Sequence, residues 1–386
     1  LLKLYAREHV ILCLIPALFI AGAISVFLSK ESVIKYLGSR SSKILAYGVA
    51  SVSGTILAVC SCTVLPLFAG LYSMGAGIGP AVAFLYSGPA INVLAIVLTA
   101  RVLGFEIGFA RALGAILFGI VIGVLMHIFF RREEAQRQLE FAEMDIPKRE
   151  RPLWQDIIFL STLVGVLLSG TWTRAGDGFS LWNAIFMVKW YLASAFGLLL
   201  AVLLILWYRV RWQPLALTLL AVAIAELALP HKPEAAYLVA AIGLSLALVK
   251  SGGEGEEWFN ATWMLGKQIL PLLFIGVIVA GFFFGRPGHE AVIPSSWVAR
   301  LVGENSFLAN LVASVVGAFM YFATLTEVPI LQGLLGGGMN KGPALALLLA
   351  GPALSLPSML VIGSVLGIRK TLVYIFLVVL MATATG

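Results

Sequence analysis

Apolar stretches long enough to cross a lipid bilayer follow one another along almost the whole chain. A membrane-spanning helix needs about 20 mainly apolar residues. Segments that meet this test with little charge are 9–29, 44–62, 79–100, 106–130, 184–207, 212–229, 266–285, 305–325, 343–367 and 370–386. Two more, 155–171 and 235–250, are near the lower limit. The pattern predicts an all-α polytopic membrane protein.

The composition excludes a water-soluble protein. Only 12% of the 386 residues are charged and 60% are hydrophobic, whereas soluble domains carry about 25% charged residues. The net charge of +7 does not require a nucleic-acid partner, because Lys and Arg collect in the cytoplasmic loops of membrane proteins.

We expect the lipid bilayer and a small solute as partners, with no nucleic acid, no cofactor and no metal, and the oligomeric state stays open. Because the chain starts at Leu1 rather than Met, we expect residues to precede it.

A gapless self-alignment indicates an internal duplication. When the chain is shifted by 263 positions, 50–104 aligns with 313–367, and 20 of the 55 positions are identical. The Gly-Pro-Ala triplets at 79–81 and 88–90 stay in register with those at 342–344 and 351–353. Chance similarity between apolar segments would not preserve these positions, so we predict two repeats of about 120 residues.

Polar segments complete the predicted organisation. The stretch 131–153 carries six basic and six acidic residues and is predicted as a partly helical, cytoplasmic linker. It follows membrane repeat 1 at 1–130 and precedes a central insert of about four spans at 154–257. Membrane repeat 2 then covers 258–386.

The distribution of Lys and Arg predicts that the two repeats are inverted. With the linker inside, the inner loops hold 16 of the 26 basic residues, the bias that cytoplasmic loops show. Segments 9–29 and 266–285 then cross the membrane in opposite directions. This count requires 155–171 and 235–250 both to cross, since the loss of one crossing would make the repeats parallel. Inverted repeats with broken helices are typical of alternating-access transporters.

Each repeat contains an apolar piece that is too short to cross a membrane. At 1.5 Å per residue, 64–74 and 328–337 each cover about 16 Å, half of the hydrocarbon core. Interrupted helices are tolerated at this depth only where protein or a water-filled cavity satisfies the freed backbone groups. The predicted helix-breaking residues are Pro66, Gly88, Pro89, Pro329, Gly351 and Pro352. A packing kink without a functional role is the alternative at the Gly-Pro-Ala triplets.

Polar side chains accompany these breaks in both repeats. If the repeats pack against each other, the side chains approach one cavity, and we predict that they bind substrate: Cys60, Ser61, Cys62, Thr63, Ser87, Asn92, Thr324 and Thr326. Two thiols one residue apart suit a soft, thiophilic ligand. Alternatively, the two cysteines are small buried hydrophobic residues.

Glu327 is the predicted proton-coupling residue. A carboxylate at mid-membrane costs at least about 2.5–3.5 kcal/mol on insertion scales, so it rarely occurs there without a role in binding or proton transfer. A buried carboxyl group can load and release a proton near neutral pH. The alternative is a solvated charge that caps the start of a helix.

The motifs around the breaks resemble those of a known family. Residues 60–66 (CSCTVLP), 79–85 (GPAVAFL) and 87–92 (SGPAIN) are similar to the predicted permeases that include ArsP-type organoarsenical efflux permeases. The resemblance covers roughly 9–130 and 258–386. It implies a multi-pass permease of the bacterial inner membrane, and some members export trivalent organoarsenicals, arsenite or antimonite. Members often carry Gly where this chain has Thr63, and the central insert of this chain is longer than usual. We expect these two differences to affect which substrate is bound rather than the fold.

The sequence therefore predicts proton-coupled efflux of a small thiophilic solute such as a trivalent organoarsenical, by alternating access. A passive channel, or a permease for a different small molecule, is the alternative. The chain has no HExxH or GxSxG motif and its histidines lie near predicted span ends, so we expect no enzyme. It also lacks a P-loop, which argues against ATP-driven pumping by this chain alone.

Overall fold

The computed structural model describes residues 11, 12, 14–27, 46–51, 61–91, 93–143, 152–172, 180–229, 232–284, 304–319, 327–336 and 338–386. All regular elements within these ranges are helical, which confirms the all-α prediction. The helices are α1 (Ile15–Phe27), α2 (Ser61–Ser73), α3 (Ile78–Ala90), α4 (Val93–Val102), α5 (Phe105–Phe129), α6 (Arg131–Glu143), α7 (Leu153–Thr171), α8 (Ser180–Leu206), α9 (Trp212–Ala228), α10 (Pro233–Ser251), α11 (Gly253–Phe284), α12 (Phe307–Phe319), α13 (Glu327–Gly336), α14 (Lys341–Ala350), α15 (Leu356–Leu366) and α16 (Ile368–Thr385).

Five described helices are long and apolar enough to cross a membrane. They are Phe105–Phe129, Trp154–Thr171, Asn183–Leu206, Pro233–Ser251 and Ile368–Thr385. Two of them contain the segments 155–171 and 235–250, on which the predicted number of crossings depends. Several other apolar helices, including α12, α14 and α15, have only 10–17 residues. The protein is a multi-pass membrane protein in which long helices stand beside short ones.

Contacts divide the chain into two compact units. The first contains residues 1–2, 30–146 and 268–386, and the second contains 3–29 and 147–267. This division differs from the predicted organisation, because the first apolar segment groups with the central insert rather than with repeat 1. The predicted boundary at 257/258 also lies inside α11, which is one continuous helix.

Buried aromatic rings hold the second unit together. Phe27 of α1 packs against Phe159, Tyr208 and Trp258, with ring centroids 4.5 to 5.5 Å apart. The indole nitrogen of Trp258 donates a hydrogen bond to the carbonyl of Phe19 at 2.8 Å. Aromatic rings in tilted or edge-to-face contact contribute more than their buried area alone. These contacts explain why the first apolar segment groups with the central insert.

In the first unit, helix boundaries follow the internal alignment. The first residues of α14, α15 and α16 align with the first residues of α3, α4 and α5, and the last residue of α13 aligns with that of α2. The turns that precede α3 and α14 contain Gly75 (φ 96°) and Gly338 (φ 103°). The turns that precede α5 and α16 contain Gly104 (φ 101°) and Gly367 (φ 84°). Glycine adopts these positive angles without the steric cost that other residues incur, so the same turn is encoded twice.

Equivalent glycines also allow two close helix contacts. A Cβ atom on Gly123 of α5 would lie 2.6 Å from the carbonyl oxygen of Gly79 in α3. The aligned positions of the second repeat, Gly386 and Gly342, make the equivalent contact at 2.5 Å beside α16 and α14. Small residues allow the backbones of membrane helices to approach each other in this way.

The equivalent helices α3 and α14 run in opposite directions along α5. Gly79 at the start of α3 contacts Gly123 near the end of α5. Ala90 at the end of α3 accepts a hydrogen bond from Arg111 near the start of α5, so α3 and α5 are antiparallel. In α14, Lys341 forms an ion pair of 2.9 Å with Glu106 near the start of α5, and Leu349 lies against Gly114, so α14 is parallel to α5. With 25 residues, α5 is about 37 Å long.

The charged helix α6 closes the end of the α2–α3 hairpin. Its buried Glu134 accepts a hydrogen bond of 3.2 Å from the Ile78 amide at the start of α3 and pairs with Arg137 at 3.0 Å. Arg137 donates to the carbonyls of Tyr72 and Ala76 and covers the Tyr72 ring at 3.5 Å. The linker predicted to be partly helical therefore begins with a helix that satisfies polar groups of the turn between α2 and α3.

The structure corrects three predicted helix breaks. Pro66 lies inside α2, because a helix can continue past a proline at the loss of one hydrogen bond. Gly88 and Pro89 form the last turn of α3, which ends at Ala90, so the chain leaves the helix later than predicted. Pro329 is the third residue of α13, in the first turn where a missing amide costs little. Gly351 and Pro352 lie between α14 and α15, where the break was expected.

The close approach of α3 and α5 can be tested with two alanine substitutions. Gly123→Ala should destabilise the protein by about 1–3 kcal/mol, because the added methyl group overpacks the contact with the Gly79 backbone. Gly197→Ala is the control, since a Cβ atom there meets nothing within 4 Å. Thermal unfolding in detergent should show a lower melting temperature for Gly123→Ala alone. Equal melting temperatures would contradict the described contact.

Candidate functional site

A buried ion pair lies in the first unit. Nη2 of Arg111 is 3.1 Å from Oε2 of Glu327, and both side chains are fully shielded from solvent. In a membrane protein, charged groups at such depth pair with each other or with backbone carbonyls, and they mark binding sites or ion pathways. The pair is therefore the starting point for locating a functional site.

The two charges lie in different predicted repeats. Arg111 lies in the second turn of α5, and Glu327 is the first residue of the short helix α13. The start of a helix carries a partial positive charge that stabilises a carboxylate. The alternative of a solvated capping charge is wrong in one respect, because Glu327 stands at a helix start but is buried.

Arg111 also binds the first Gly-Pro-Ala break. Its Nε donates to the carbonyl of Ala90 at 3.3 Å, and its Nη1 donates to Thr99 Oγ1 at 3.0 Å. Ala90 is the last residue of α3, where helical carbonyls lose their partners in the following turn. One guanidinium group thus joins α5, the end of α3, α4 and the start of α13.

A tyrosine binds the Gly-Pro-Ala break at 351–353 in a similar way. The hydroxyl of Tyr374 in α16 donates to the carbonyl of Ala353 at 3.4 Å. The internal alignment, continued at the same shift, pairs Tyr374 with Arg111 and Ala353 with Ala90. The duplicated backbone therefore uses equivalent positions to hold the two breaks, although only Arg111 carries a charge.

Glu327 faces the second Gly-Pro-Ala break. A Cβ atom on Gly351 would lie 3.3 Å from Oε1 of Glu327, and one on the equivalent Gly88 would lie 3.3 Å from the side chain of Val64. Val64 and Glu327 are themselves equivalent positions in the internal alignment. Glu327 therefore occupies a place that the other repeat fills with an apolar side chain.

The two breaks also share a hydrophobic cluster. Ala90 and Ile91 from the first break pack with Leu349 and Ala350, which precede Gly351, and with residues of α5 and α16. The ends of α3 and α14 therefore meet beside the ion pair. This is the arrangement expected if two broken helices, one from each repeat, form a common site.

The predicted substrate-binding residues are only partly visible. Cys60, Asn92, Thr324 and Thr326 lie outside the described residues. Ser61 and Cys62 begin α2, and only their backbone is described. Thr63 is buried. Ser87 is buried against Gly119 and donates its hydroxyl hydrogen to the Ala83 carbonyl at 2.8 Å, so it stabilises its own helix.

Sequence reasoning missed Arg111. The low charge of segment 106–130 predicts a membrane span, and this prediction gives no role to the single arginine inside it. An ionisable residue in the second turn of a long apolar helix was the available signal, because such a residue is a functional candidate by default. Tyr374 was also missed, and no sequence motif distinguishes it from other buried aromatic residues.

Comparison with known proteins places the chain in a family. All of it, residues 1–386, matches a family described as predicted permease. The chain belongs to this predicted-permease family. It is 40% identical to UPF0718 protein MJ0584 of Methanocaldococcus jannaschii over 391 aligned positions, which cover 99% of this chain and 92% of the relative.

A second relative of the permease matches a shorter region. UPF0718 protein YraQ of Escherichia coli is 32% identical over 111 residues, which are 29% of this chain and 30% of YraQ. No solved structure matches the permease. Family membership supports a membrane transporter, which agrees with the apolar helices and the buried charges.

The energetic coupling of the two charges in this permease can be measured with a double-mutant cycle. Arg111→Met and Glu327→Leu should each destabilise the protein by about 3–5 kcal/mol, because each leaves an unpaired buried charge. The double variant should lose much less stability than the sum of the two single losses, since it leaves neither charge buried. Chemical unfolding in detergent micelles measures all four proteins, and additive losses would contradict the pairing.

Proposed function

We propose that this permease is a secondary active transporter that exports a small thiophilic solute, such as a trivalent organoarsenical, in exchange for protons. The observation that carries the proposal is the buried Arg111–Glu327 ion pair, which joins the long helix α5 to the short helix α13 of the other predicted repeat. We place the protein in the bacterial inner membrane, as the resemblance of its motifs implies.

An inverted arrangement of the two repeats is part of the proposal. Its support is the opposite direction of the equivalent helices α3 and α14 along α5. The turn before α3 contacts α6, which follows the end of α5, whereas Lys341 at the start of α14 contacts the start of α5. Equivalent turns thus lie at opposite ends of one long helix. Repeats related in this way can exchange conformations and so open a central site to either side in turn.

Proton exchange at Glu327 gives the transporter a buried group with two charge states, ionised and protonated. When Glu327 is ionised, its charge balances that of Arg111 at 3.1 Å. Adding a proton removes one charge and leaves the other buried and unbalanced, which is costly in a low-dielectric interior. Protonation should therefore favour separation of α5 from the start of α13 and admission of water or solute to Arg111.

The cysteines supply the proposed affinity for soft solutes. Cys62 stands in the first turn of α2, and Cys60 lies two residues before it. Thiolate sulfur prefers soft ligands over hard cations, and trivalent arsenic is soft by the same reasoning. The support for this part is the sequence motif and the position of α2 in the repeat, where it corresponds to α13 and its Glu327.

Replacement of Glu327 should uncouple transport from the proton gradient. Glu327→Gln keeps the shape of the side chain but cannot exchange a proton. With one proton exchanged per solute, a gradient of one pH unit supports about tenfold accumulation, and the variant should lose this accumulation. Glu106→Gln is the control, because its exposed ion pair should contribute little. Uptake into proteoliposomes with and without a pH gradient measures the effect.

Two other results would count against proton coupling at this site. Accumulation by Glu327→Gln that depends on the pH gradient as in the wild type would place the coupling elsewhere. A voltage-driven current that is unchanged in the variant would indicate the passive-channel alternative.

The cysteine pair can be tested in cells. A variant with both Cys60→Ser and Cys62→Ser should lose protection against trivalent arsenicals, because the soft ligands are gone. Cys13→Ser is the matched control, since Cys13 is the remaining one of the three cysteines and lies outside the 60–66 motif. The measurement is the inhibitory concentration of arsenicals and antimonials for a knock-out strain that carries each variant. Unchanged resistance in the double variant would refute the thiophilic substrate.

A further inference from the structure

A long apolar cavity lies within the second unit. It has a volume of about 360 Å³ and is lined by side chains of α1, α7, α8, α9 and α10, all of which belong to this unit. Among the described lining residues, only Glu226 carries a charge. Ligand pockets occupy about 300–1,000 Å³ and are mostly apolar with a few polar groups, so this cavity has the size for one slender molecule.

The length of the cavity matches half of a bilayer. Its lining follows α9 from Leu215 to Glu226 and α10 from Pro233 to Leu244. At 1.5 Å per residue, each stretch covers about 16 Å, which is half of the ~30 Å hydrocarbon core. A hydrocarbon chain that starts at the membrane surface reaches the midplane over this distance. The cavity therefore suits a single extended chain.

A carboxylate and two aromatic side chains lie at one end of the cavity. Glu226 stands in the last turn of α9, and Tyr237 stands in the second turn of α10. Because Gly243 of α10 lies against Thr218 of α9, the antiparallel pairing places Glu226 within about 3 Å of the height of Tyr237 along the helices. The Tyr237 ring packs edge to face against Trp190 of α8, with ring centroids 6.1 Å apart.

This arrangement gives the cavity a polar end and an apolar end. Trp and Tyr collect where a membrane meets water, so the end with Glu226, Trp190 and Tyr237 belongs at the membrane surface. The opposite end, which contains Leu215 and Leu244, then lies near the midplane. A ligand that fills the cavity has its polar head beside Glu226 and its apolar part among the leucines.

The charge at the surface end selects a cationic head. The side chain of Glu226 is exposed, and no described residue forms an ion pair with it. Lys189 does not line the cavity, and its Nζ donates to the Trp172 carbonyl at 3.0 Å and lies 4.7 Å from the centre of the Trp190 ring. The charge of Glu226 is therefore left to attract an ammonium group and to repel an anion.

We propose that the cavity binds an amphiphile with one hydrocarbon chain and an ammonium head, with the head at Glu226 and the chain between α8, α9 and α10. The inference goes beyond the proposed function, because the cavity lies in the second unit and uses neither the cysteine motif nor the ion pair. Glu226 becomes the residue that determines the charge of the ligand.

Open space at Gly197 provides a test of where the chain lies. Gly197 of α8 lines the cavity, and a Cβ atom there meets nothing within 4 Å. Gly197→Leu should raise the Kd for dodecyltrimethylammonium about tenfold or more, because the leucine takes the place of about two methylene groups of the chain. Its melting temperature should not fall, since the leucine enters free space. Ala195→Leu is the control, because Ala195 is exposed on α8 and does not line the cavity.

The position of the head is tested with Glu226→Gln. The Kd for dodecyltrimethylammonium should rise about tenfold, the effect of one lost contact with a charged group. The Kd for dodecanol, which has the same chain without the charge, should not change. Glu257→Gln is the control, because Glu257 is an exposed carboxylate of the same unit that does not line the cavity.

Binding of both radiolabelled probes is measured with the whole chain in phosphatidylcholine nanodiscs, after subtraction of the binding to empty nanodiscs. Weaker binding of the cation by both variants, and of dodecanol by Gly197→Leu alone, would support the site. Equal binding of the two probes without an effect of Glu226→Gln would show that the cavity holds an ordinary lipid chain, and it would overturn the proposal. Unchanged binding by Gly197→Leu would place the ligand outside the cavity, with the same consequence.

Discussion

The structure of the first unit depends on two opposite charges that are held away from water. Arg111 and Glu327 each lose their hydration when they are buried, and this loss is offset only if the pair is close and further hydrogen bonds satisfy the arginine. The carbonyl of Ala90 and the hydroxyl of Thr99 provide these bonds. The charges can stay buried only while the helix breaks remain in place, so the electrostatics and the backbone depend on each other.

The duplicated backbone carries different side chains at equivalent positions. Arg111 and Tyr374 hold the two Gly-Pro-Ala breaks through the same type of contact, yet only one of them is charged. Glu327 stands where the other repeat has Val64. In the proposed transport cycle, the two predicted repeats would alternate between two related conformations, and the single charge pair would distinguish them. This combination suits a transporter whose two conformations must respond differently to a proton.

The sequence allowed the all-α membrane fold to be predicted because that fold depends on a regular pattern of apolar length, whereas the duplication stays a prediction. Apolar length predicted the long helices, whereas the Gly and Pro positions predicted correctly only the break between α14 and α15. Pro66 was placed wrongly at a break because surrounding packing decides whether a helix tolerates a proline. Arg111 was missed because nothing local in the sequence connects it with Glu327, which is 216 residues away. The contact between α6 and the turn before α3 depends on folded geometry in the same way.

Proton exchange at the ion pair is tested most directly by measuring the protonation state of Glu327. Infrared difference spectroscopy of the reconstituted protein, with Glu327→Gln as the reference, detects the carbonyl band of a protonated carboxyl group. If Glu327 exchanges the coupled proton, a band assigned to it appears on acidification over the same pH range in which transport changes. A carboxylate that stays ionised throughout that range, while transport still changes, would contradict proton exchange at the ion pair.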